Sequence, residues 1–143
     1  MICSMVPAIM IDTCWEEVSP LLEKACRLTE GRCEIDDVKA MLEKESAHLW
    51  VAYKVEHDKR IFFGAVVTRF NTYPRCRYLC LVFCGGVNLE KWRTQIMNMF
   101  RNFAKEMHCA GIEATARKGW SKLLAKDGYK ARWVAFELPL SGV

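Results

Sequence analysis

The sequence predicts an α/β fold, in which helices flank a mixed central β-sheet formed by a single domain over residues 1–143. Three observations support this prediction. Segments with helical period alternate with segments of period two. Three consecutive period-two segments, separated by short turns, predict an antiparallel meander. A strand, a long helix and a further strand between residues 76 and 117 then predict a right-handed parallel crossover.

The first third of the chain predicts one strand and two helices. Met5–Met10 is the first predicted strand. Thr13 and Glu16 have the spacing of a capping box, and an apolar stripe follows them as far as Gly31, which predicts the first helix. The second predicted helix spans residues 36–47 and begins with two aspartates, whose charges suit a helix N-terminus.

The middle of the chain predicts three strands. Residues 49–55 and 61–70 form a hairpin around a polar turn, and Pro74 marks a second turn. The third strand, Cys76–Cys84, is apolar on both faces, so we expect it in the centre of the sheet.

The last third predicts a long helix between two parallel strands, followed by a closing unit. Gly85 and Gly86 end the central strand, Asn88 caps the helix, and an apolar stripe extends to Met107. A strand over residues 111–117, a short helix over 120–126 and a closing strand over 131–140 follow.

Composition and charge exclude several classes of protein. Hydrophobic residues make up 52% and charged residues 27% of the chain, which excludes disordered and collagen-like proteins. No segment reads as a membrane-spanning helix or a signal peptide, so we expect a cytoplasmic protein without membrane partners. Residues 59–143 carry 15 Lys and Arg against 5 Asp and Glu, a field that attracts nucleic acid, a phosphorylated cofactor or an acidic partner. Nucleic acid is the least favoured of these, because no recognition helix or base-stacking motif accompanies the charge.

The eight cysteines are predicted to be reduced thiols and not metal ligands. The cytosol keeps thiols reduced, and the chain has no Cys-x-x-Cys pair. The densest cluster, Cys76, Cys80 and Cys84, has spacings of four. In a strand this spacing places all three on one face along more than about 10 Å, too spread for one metal ion. We therefore expect small, core-filling cysteines.

The order of the predicted elements and two motifs resemble the GNAT superfamily of acyl-CoA N-acyltransferases. The motifs are Cys84-Gly-Gly-Val-Asn-Leu-Glu-Lys-Trp92 and Gly111-Ile-Glu-Ala-Thr-Ala-Arg-Lys-Gly-Trp120. Together with Leu123, Leu124 and Gly128-Tyr129, they are most similar to small GNAT-like proteins encoded by tailed bacteriophages and prophages. The resemblance implies a GNAT-like domain whose location is the host cytoplasm or the virion.

The resemblance also implies where acetyl-CoA would bind. In the GNAT fold the central strand and the strand after the long helix splay apart, and acyl-CoA lies between them with its pyrophosphate at the start of the long helix. The free N–H groups and dipole of a helix start favour phosphate oxygens. The expected cofactor-binding residues are the end of the central strand, the following bend and a cation beyond the next strand: Val82, Phe83, Cys84, Gly85, Gly86, Val87, Asn88 and Arg117.

Two positions depart from the pattern of working GNAT acetyltransferases. The glycine-rich loop that surrounds the pyrophosphate is reduced to Gly85, Gly86 and Asn88. Leu124 stands where many members carry the tyrosine that protonates the departing thiolate, and the sequence shows no evident replacement. The catalytic residues are therefore left unassigned.

Two functions follow from these observations. The first is transfer of an acetyl group from acetyl-CoA to an amine by a phage-encoded enzyme. The alternative is a non-catalytic GNAT-fold protein that binds a protein partner, as a virion or assembly component or as a host-interaction factor. The retained topology and the basic second half favour the enzyme, whereas the reduced loop and the missing tyrosine favour the binding protein.

Several side chains are candidates for chemistry, each with a structural alternative. Cys84 would be an acyl-accepting thiol if a helix N-terminus lowered its pKa, and is otherwise a buried thiol. Glu113 would deprotonate an amine, or else pair with Arg117 or Lys118. Arg117 itself is either an anion clamp or part of a helix-start turn. The three histidines are candidate bases or surface residues: His48, His57 and His108.

Overall fold

The computed structural model describes residues 1–140. Within them the strands are β1 (Ile2–Val6), β2 (His48–Glu56), β3 (Lys59–Thr72), β4 (Arg77–Gly86) and β5 (Gly111–Ala114). The helices are α1 (Ile11–Arg27), α2 (Ile35–Glu43), α3 (Arg93–Glu106) and α4 (Ser121–Lys126). Short 3-10 turns precede α1, α3 and α4 at Ala8–Met10, Leu89–Lys91 and Lys118–Trp120.

The strands form one mixed sheet in the order β1-β2-β3-β4-β5. Each of the first four strands is antiparallel to its neighbours among them, and β4 and β5 are parallel. The predicted α/β fold with its meander and parallel crossover is therefore confirmed. The middle strand, however, is β3 and not β4. β4 is only half-buried from Leu81 to Gly85, because β5 covers its edge only as far as Leu81.

Helices cover both faces of the sheet. On one face α1 and α2 pack against alternate residues of β2 and β3; the buried members of this core include Ile11, Val18, Leu22, Val38, Leu42, Leu49, Val51, Ala65 and Val67. On the other face α3 packs against the intervening residues; the buried members there include Trp50, Ala52, Val66, Leu79, Trp92, Ile96, Met97 and Phe100. The period of two in the strands thus supplies two cores from one sheet.

The first strand lies earlier than the sequence predicts. It spans Ile2–Val6 instead of Met5–Met10. Pro7 ends it, because proline has no N–H group to continue the pairing of a strand. Ala8–Met10 forms a 3-10 turn instead.

Helix α1 begins without the predicted cap. It starts at Ile11, whose N–H group donates to Ala8 O of the preceding turn, so Thr13 lies inside the helix and not at its N-cap. The helix ends at Arg27, and Gly31, with a φ of +88°, belongs to the turn that follows. The 3-10 turn replaces a side-chain cap because it leads the backbone directly into helical geometry.

Two predicted elements of the last third are shorter or absent. Asn88 does not cap the long helix: it has a φ of +55° and no side-chain cap bond, and α3 begins only at Arg93. β5 ends at Ala114 and not at residue 117. The predicted closing strand, Ala131–Leu140, has no regular structure, and it pairs with no other strand within residues 1–140. No helix of the described chain is long and apolar enough to cross a membrane.

A small polar network lies inside the α3 side of the sheet. Thr68 is fully buried, and its Oγ1 accepts a hydrogen bond from Trp50 Nε1 at 2.9 Å. His48 Nδ1 lies 2.9 Å from the same oxygen. The Thr68 hydroxyl has a proton to donate in addition to its lone pairs, so it suits a neutral imidazole at His48 Nδ1. Phe70 and Phe103 pack edge-on against the His48 ring. His48 is therefore a half-buried structural histidine and not the surface residue that the alternative interpretation expected.

This environment predicts that acid destabilises the fold. Burial lowers the pKa of His48 below its usual value of 6.5. The unfolded chain therefore binds a proton in a pH range where the folded chain does not. The contribution of His48 to the free energy of unfolding is fully present above about pH 6.5 and declines as the pH falls below this value. Urea unfolding of the wild type between pH 5 and 8 should show this decline, and His48→Gln should reduce it.

The matched control is His108→Asn, which changes an exposed histidine at a φ of +57°, a geometry that asparagine tolerates. This variant should keep the full pH dependence. An equal loss of the dependence in both variants would contradict the assignment to His48.

Candidate functional site

A β-bulge near the end of β4 shapes the candidate site. Thr68 of β3 pairs with Leu81, but Val67 pairs with Phe83, so Val82 is an extra residue in β4. A bulge bends its strand and increases the local twist, and bulges are common beside active sites. Side chains of β4 after the bulge therefore point to the opposite face of the sheet from the one that the alternation before the bulge predicts.

The bulge overturns the prediction that the cysteines of β4 share one face. Leu79 and Leu81 pack into the α3 core, so Cys80 between them points to the opposite face. Beyond the bulge, Cys84 packs into the α3 core. All eight cysteines are free thiols, and residues 1–140 contain no group of three or more His, Cys, Asp or Glu placed to hold a metal ion.

Beyond the bulge β4 leaves its parallel neighbour. β4 and β5 pair only from Tyr78–Gly111 to Leu81–Ala114. The last five residues of β4, Val82–Gly86, have no strand on their β5 side within the described chain. We call the space between Val82–Gly86 and residues 115–117, which follow β5, the β4–β5 gap. The resemblance implies a cofactor site at this place, and that site stays a prediction.

The two glycines at the end of β4 are required by packing inside the protein. A Cβ atom at Gly85 would lie 1.7 Å from the carbonyl oxygen of Leu21 in α1. Gly86 has a φ of +137°, and a Cβ there would lie 2.2 Å from Phe63 O of β3. The sequence suggested that Gly86 gives a ligand access to the backbone. The close approach of β3 accounts for this glycine without any ligand, so replacing it would disturb the fold as well as the site.

The bend after β4 is held closed by hydrogen bonds. Val87 N–H donates to Phe63 O at 2.8 Å, and the Trp92 indole Nε1 donates to Val87 O at 2.9 Å. Trp92 itself is only 1% exposed. The amide of Val87 is therefore already used, and Asn88 is exposed. The first hydrogen bond associated with α3 runs from Ile96 N–H to Trp92 O at 3.0 Å, so the donors left for an anion are those of the first turn of α3, Arg93–Gln95.

A cation lies at this helix start that the sequence analysis did not single out. Arg93 is the first residue of α3, a position where a positive charge opposes the helix dipole. Its Nε lies 3.5 Å from Asp127 Oδ2, and both side chains are largely buried. Arg101 also reaches α4, because its Nη2 donates to Asp127 O at 3.0 Å. The ion pair fixes the end of α4 beside the start of α3. An arginine at an unfavourable helix position was the one sequence signal for it.

Burial raises the pKa of both the Cys84 thiol and the Tyr129 phenol of the α3 core, so both groups stay protonated near neutral pH. Burial raises the pKa of the Cys84 thiol to about 12, so the proposal of an activated, acyl-accepting thiol is wrong. Burial likewise raises the pKa of Tyr129 to about 12, and its hydroxyl donates to Met97 Sδ at 3.5 Å. Leu124 packs into the same cluster as Cys84 and Tyr129. Tyr129 is thus a half-buried phenol that stays protonated near neutral pH.

Glu113 does not stand where either interpretation placed it. Its Oε2 accepts hydrogen bonds from Asn71 Nδ2 at 2.7 Å and from Tyr73 Oη. Both partners lie at the β3–β4 hairpin, at the opposite end of β4 from the gap. The carboxylate raises the pKa of Tyr73 through this hydrogen bond. Glu113 therefore pairs with neither Arg117 nor Lys118 and is an unsuitable base for the gap.

The remaining candidates are exposed. Arg117 precedes the last 3-10 turn, at the border of the gap, and makes no ion pair within residues 1–140. His57 lies in the tight turn between β2 and β3, and His108 follows α3. Neither histidine is near the gap, which agrees with their interpretation as surface residues.

Two shallow cavities of about 130 Å³ each lie away from the gap, beside β1 and the start of α1. The second of them is lined in part by Cys14, Tyr53, Arg60 and Phe62. The guanidinium carbon of Arg60 lies 5.5 Å from the centre of the Tyr53 ring, so the Arg60 charge is engaged in a cation–π contact. Neither cavity borders the end of β4 or the start of α3, so the gap remains the candidate site.

Comparison with known proteins agrees with this geometry. No protein-family model matches the chain, and no curated protein sequence matches it. Ninety solved chains share its fold. One is a probable acetyltransferase, with a TM-score of 0.73 and 13% identity over all of both chains. Another is a ribosomal-protein-alanine N-acetyltransferase from Brucella melitensis, with a TM-score of 0.70 and 14% identity over 98% of this chain and all of that one.

A third similar structure is a predicted acetyltransferase from Clostridium acetobutylicum solved with acetyl-CoA. Its TM-score is 0.67, and its identity is 15% over 96% of this chain and 95% of that one. At these identities the likeness shows the fold. The fold of the chain is therefore the GNAT fold, as the sequence predicted.

The close packing of Gly85 gives a prediction that needs no ligand. Gly85→Ala should destabilise the protein by about 1–3 kcal/mol or more, because the added methyl group overlaps backbone of α1 that cannot move freely. Chemical denaturation without ligand measures this. Gly119→Ala is the matched control, since a Cβ there meets nothing within 4 Å, and it should change stability little. Equal stability of the two variants would contradict the packing of α1 on β4.

Proposed function

We propose that the protein is an acyl-CoA-dependent N-acyltransferase that transfers an acetyl group from acetyl-CoA to an amine. The observation that carries the proposal is the β4–β5 gap, which opens at a bulge and ends beside the N-terminus of a 14-residue helix. The GNAT fold and the acetyltransferase names of similar structures support it.

The backbone along the gap fits the arm of acyl-CoA. Val82–Gly86 present strand N–H and C=O groups to the gap without a strand partner there, and a pantetheine amide arm hydrogen-bonds to such groups as a further strand does. The side chains of Val82, Phe83 and Cys84 pack into the two cores and hold this edge in place. Their role is to position backbone.

We place the pyrophosphate of acetyl-CoA at the first turn of α3 in preference to the bend after β4. Val87 N–H is occupied by Phe63 O, whereas the first-turn amides of α3 face no helical acceptor. Gly85, Gly86 and Asn88 then border the phosphates without surrounding them. Arg117, across the gap and without an ion pair among the described residues, supplies a cation, while the charge of Arg93 is offset by Asp127.

Bound acetyl-CoA would supply an activated acyl group, and this chain has to handle one proton on the leaving side. We propose Tyr129 as the proton donor. It lies in the same cluster as Cys84 and Leu89, which flank the gap and the bend, and its raised pKa keeps the phenol protonated. Tyr129 thus takes the role of the tyrosine that many GNAT members carry at the position of Leu124. The acceptor amine is deprotonated by a group that we leave unassigned.

The alternative function is a non-catalytic GNAT-fold protein that binds a partner. The observation that favours it is the bend itself, which internal hydrogen bonds close at Val87 and which lacks the glycine-rich loop. The phage origin and the virion, assembly or host-interaction role that the resemblance implied stay predictions.

Binding of acetyl-CoA is the first test. Calorimetric titration of the wild type with acetyl-CoA and with CoA should show binding that weakens as salt rises. Arg117→Ala should weaken binding about fivefold or more at low salt and less at high salt, because screening already reduces its contribution there. Arg75→Ala, an exposed arginine in the β3–β4 turn at the far end of β4, removes the same charge and should leave the affinity unchanged.

Absence of heat and of thermal shift at millimolar acetyl-CoA would overturn the enzyme proposal and make the binding protein the better one. Equal weakening by Arg117→Ala and Arg75→Ala would show a general field effect in place of a local clamp.

The role of Tyr129 is tested separately. Tyr129→Phe removes only the proton donor, so turnover should fall by about 10²–10⁴-fold while the KM for acetyl-CoA changes little. The assay follows CoA by chromatography in the presence of a panel of peptide and small-molecule amines. Tyr73→Phe, at the far end of the sheet, should leave turnover unchanged. A Tyr129→Phe enzyme with wild-type turnover would exclude Tyr129 as the acid.

A further inference from the structure

The two helical layers of the protein carry opposite charges. Residues 8–47, which include α1 and α2, have 10 Asp and Glu against 5 Lys and Arg, a net charge of −5. Residues 89–130, which include α3 and α4, have 9 Lys and Arg against 4 Asp and Glu, a net charge of +5. The sheet lies between these layers, so one face of the molecule attracts anions and the opposite face repels them.

Five exposed cations form a band on the outer surface of the basic layer. We call them the basic band: Arg101, Lys105, Lys118, Lys122 and Lys126. Arg101 and Lys105 are four residues apart in α3, and Lys122 and Lys126 are four residues apart in α4. This spacing places each pair on one side of its helix, about 6 Å apart along the axis. Lys118 extends the row of α4 into the 3-10 turn before it.

A hydrogen bond joins the two rows of the basic band. Arg101 Nη2 donates to the carbonyl oxygen of Asp127, which directly follows Lys126, at 3.0 Å. The Asp127 carboxylate is engaged by Arg93. No member of the basic band forms an ion pair with another of residues 1–140. The band therefore holds like charges close together, and an external anion would relieve their mutual repulsion.

The other exposed residues of this surface indicate which anion it suits. Within Arg93–Glu106 and Ser121–Lys126 no large hydrophobic side chain is exposed, whereas Asn98, Asn102 and Ser121 are exposed beside the cations. Protein interfaces are depleted in lysine and depend on anchors that become buried, such as aromatic side chains. Phosphate oxygens accept hydrogen bonds from Lys, Arg, Asn and Ser side chains. The surface therefore suits a row of phosphates better than an acidic protein.

The absence of exposed aromatic rings on α3 and α4 favours a double helix over a single strand. Proteins that bind single strands stack the bases on aromatic side chains. Reading of a base sequence needs a recognition helix or such stacking groups, and their absence made nucleic acid the least favoured partner in the sequence. Contacts to the phosphates of a duplex need neither. The absence of these groups therefore counts against base recognition and not against backbone binding.

We propose that the basic band binds the phosphate backbone of double-helical nucleic acid without reading its sequence. The row of α4 and the row of α3 each contact phosphates, and Asn98, Asn102 and Ser121 add hydrogen bonds between them. The acidic layer faces away from the duplex, which fixes the orientation of the bound protein. This binding does not depend on acyl-CoA, because no member of the basic band belongs to the β4–β5 gap.

Fluorescence anisotropy of a labelled duplex of about 20 base pairs, DNA in one arm and RNA in the other, tests the proposal on the full chain. Each phosphate contact contributes about −0.9 to the slope of log K against log salt for B-DNA. Contacts to three to five phosphates therefore predict a slope of about −3 to −4.5, and a loss of affinity of roughly 40- to 500-fold between about 50 and 200 mM salt. Duplexes of unrelated sequence should bind equally.

Paired substitutions locate the contact. Lys122→Gln combined with Lys126→Gln removes two charges of the basic band at exposed helical positions. This variant should bind duplex DNA at least about tenfold more weakly at low salt, with a slope smaller in magnitude by about 2. The matched control, Lys24→Gln combined with Lys44→Gln, removes the same charge from exposed positions of the acidic layer and should change affinity by less than about twofold. Both variants should keep the circular dichroism spectrum of the wild type.

Several results would overturn the proposal. One is the absence of duplex binding at about 50 mM salt, or a slope shallower than about −1. Another is equal weakening by the two paired variants, which would show a field of the whole molecule in place of the basic band. Tighter binding of polyglutamate than of the duplex at equal charge would assign the surface to an acidic protein. Tighter binding of a single strand of the same length would reject the double helix.

Discussion

The contact between Trp92 and Gly64 fixes the part of the molecule on which the candidate site depends. Trp92 is buried over β3 at a point where a Cβ on Gly64 would lie 2.2 Å from the indole ring. The ring can occupy this place only because residue 64 has no side chain. Its Nε1 in turn donates to Val87 O, which closes the bend after β4. Since α3 begins at the next residue, one buried indole sets the end of β4, the bend and the helix start together.

The site combines this anchor with the bulge at Val82. The bulge separates β4 from β5, and the anchor brings the N-terminus of α3 to the end of the resulting gap. Neither feature alone makes a site: an open edge without the helix start has no anion donors, and a helix start without the open edge has no groove leading to it. The ion pair of Arg93 and Asp127 adds α4 to the same arrangement.

The sequence predicted the fold class because its evidence was local. Period two in β2–β4 and the apolar stripe of α3 each arise within one element, and the structure contains all of them. The errors arose where a neighbour decides. Thr13 was taken as a cap because the sequence does not show the 3-10 turn that leads into α1. The face predicted for Cys84 was wrong because a bulge arises from strand pairing, which the sequence does not show. Gly85 and Gly86 were linked to a ligand because their close contacts with Leu21 and Phe63 are tertiary contacts.

Residues 131–140 show the same limit in its strongest form. Their alternation from Val134 to Leu140 predicts a strand, but the structure leaves these side chains exposed and gives the segment no regular structure. Alternation says only that one face needs cover, and a strand also needs a neighbour with which to pair. The strand-like sequence and the free edge of β5 are both present in the described chain, but the structure does not join them. Whether a periodic segment becomes a strand is therefore decided by its pairing, which a single sequence does not contain.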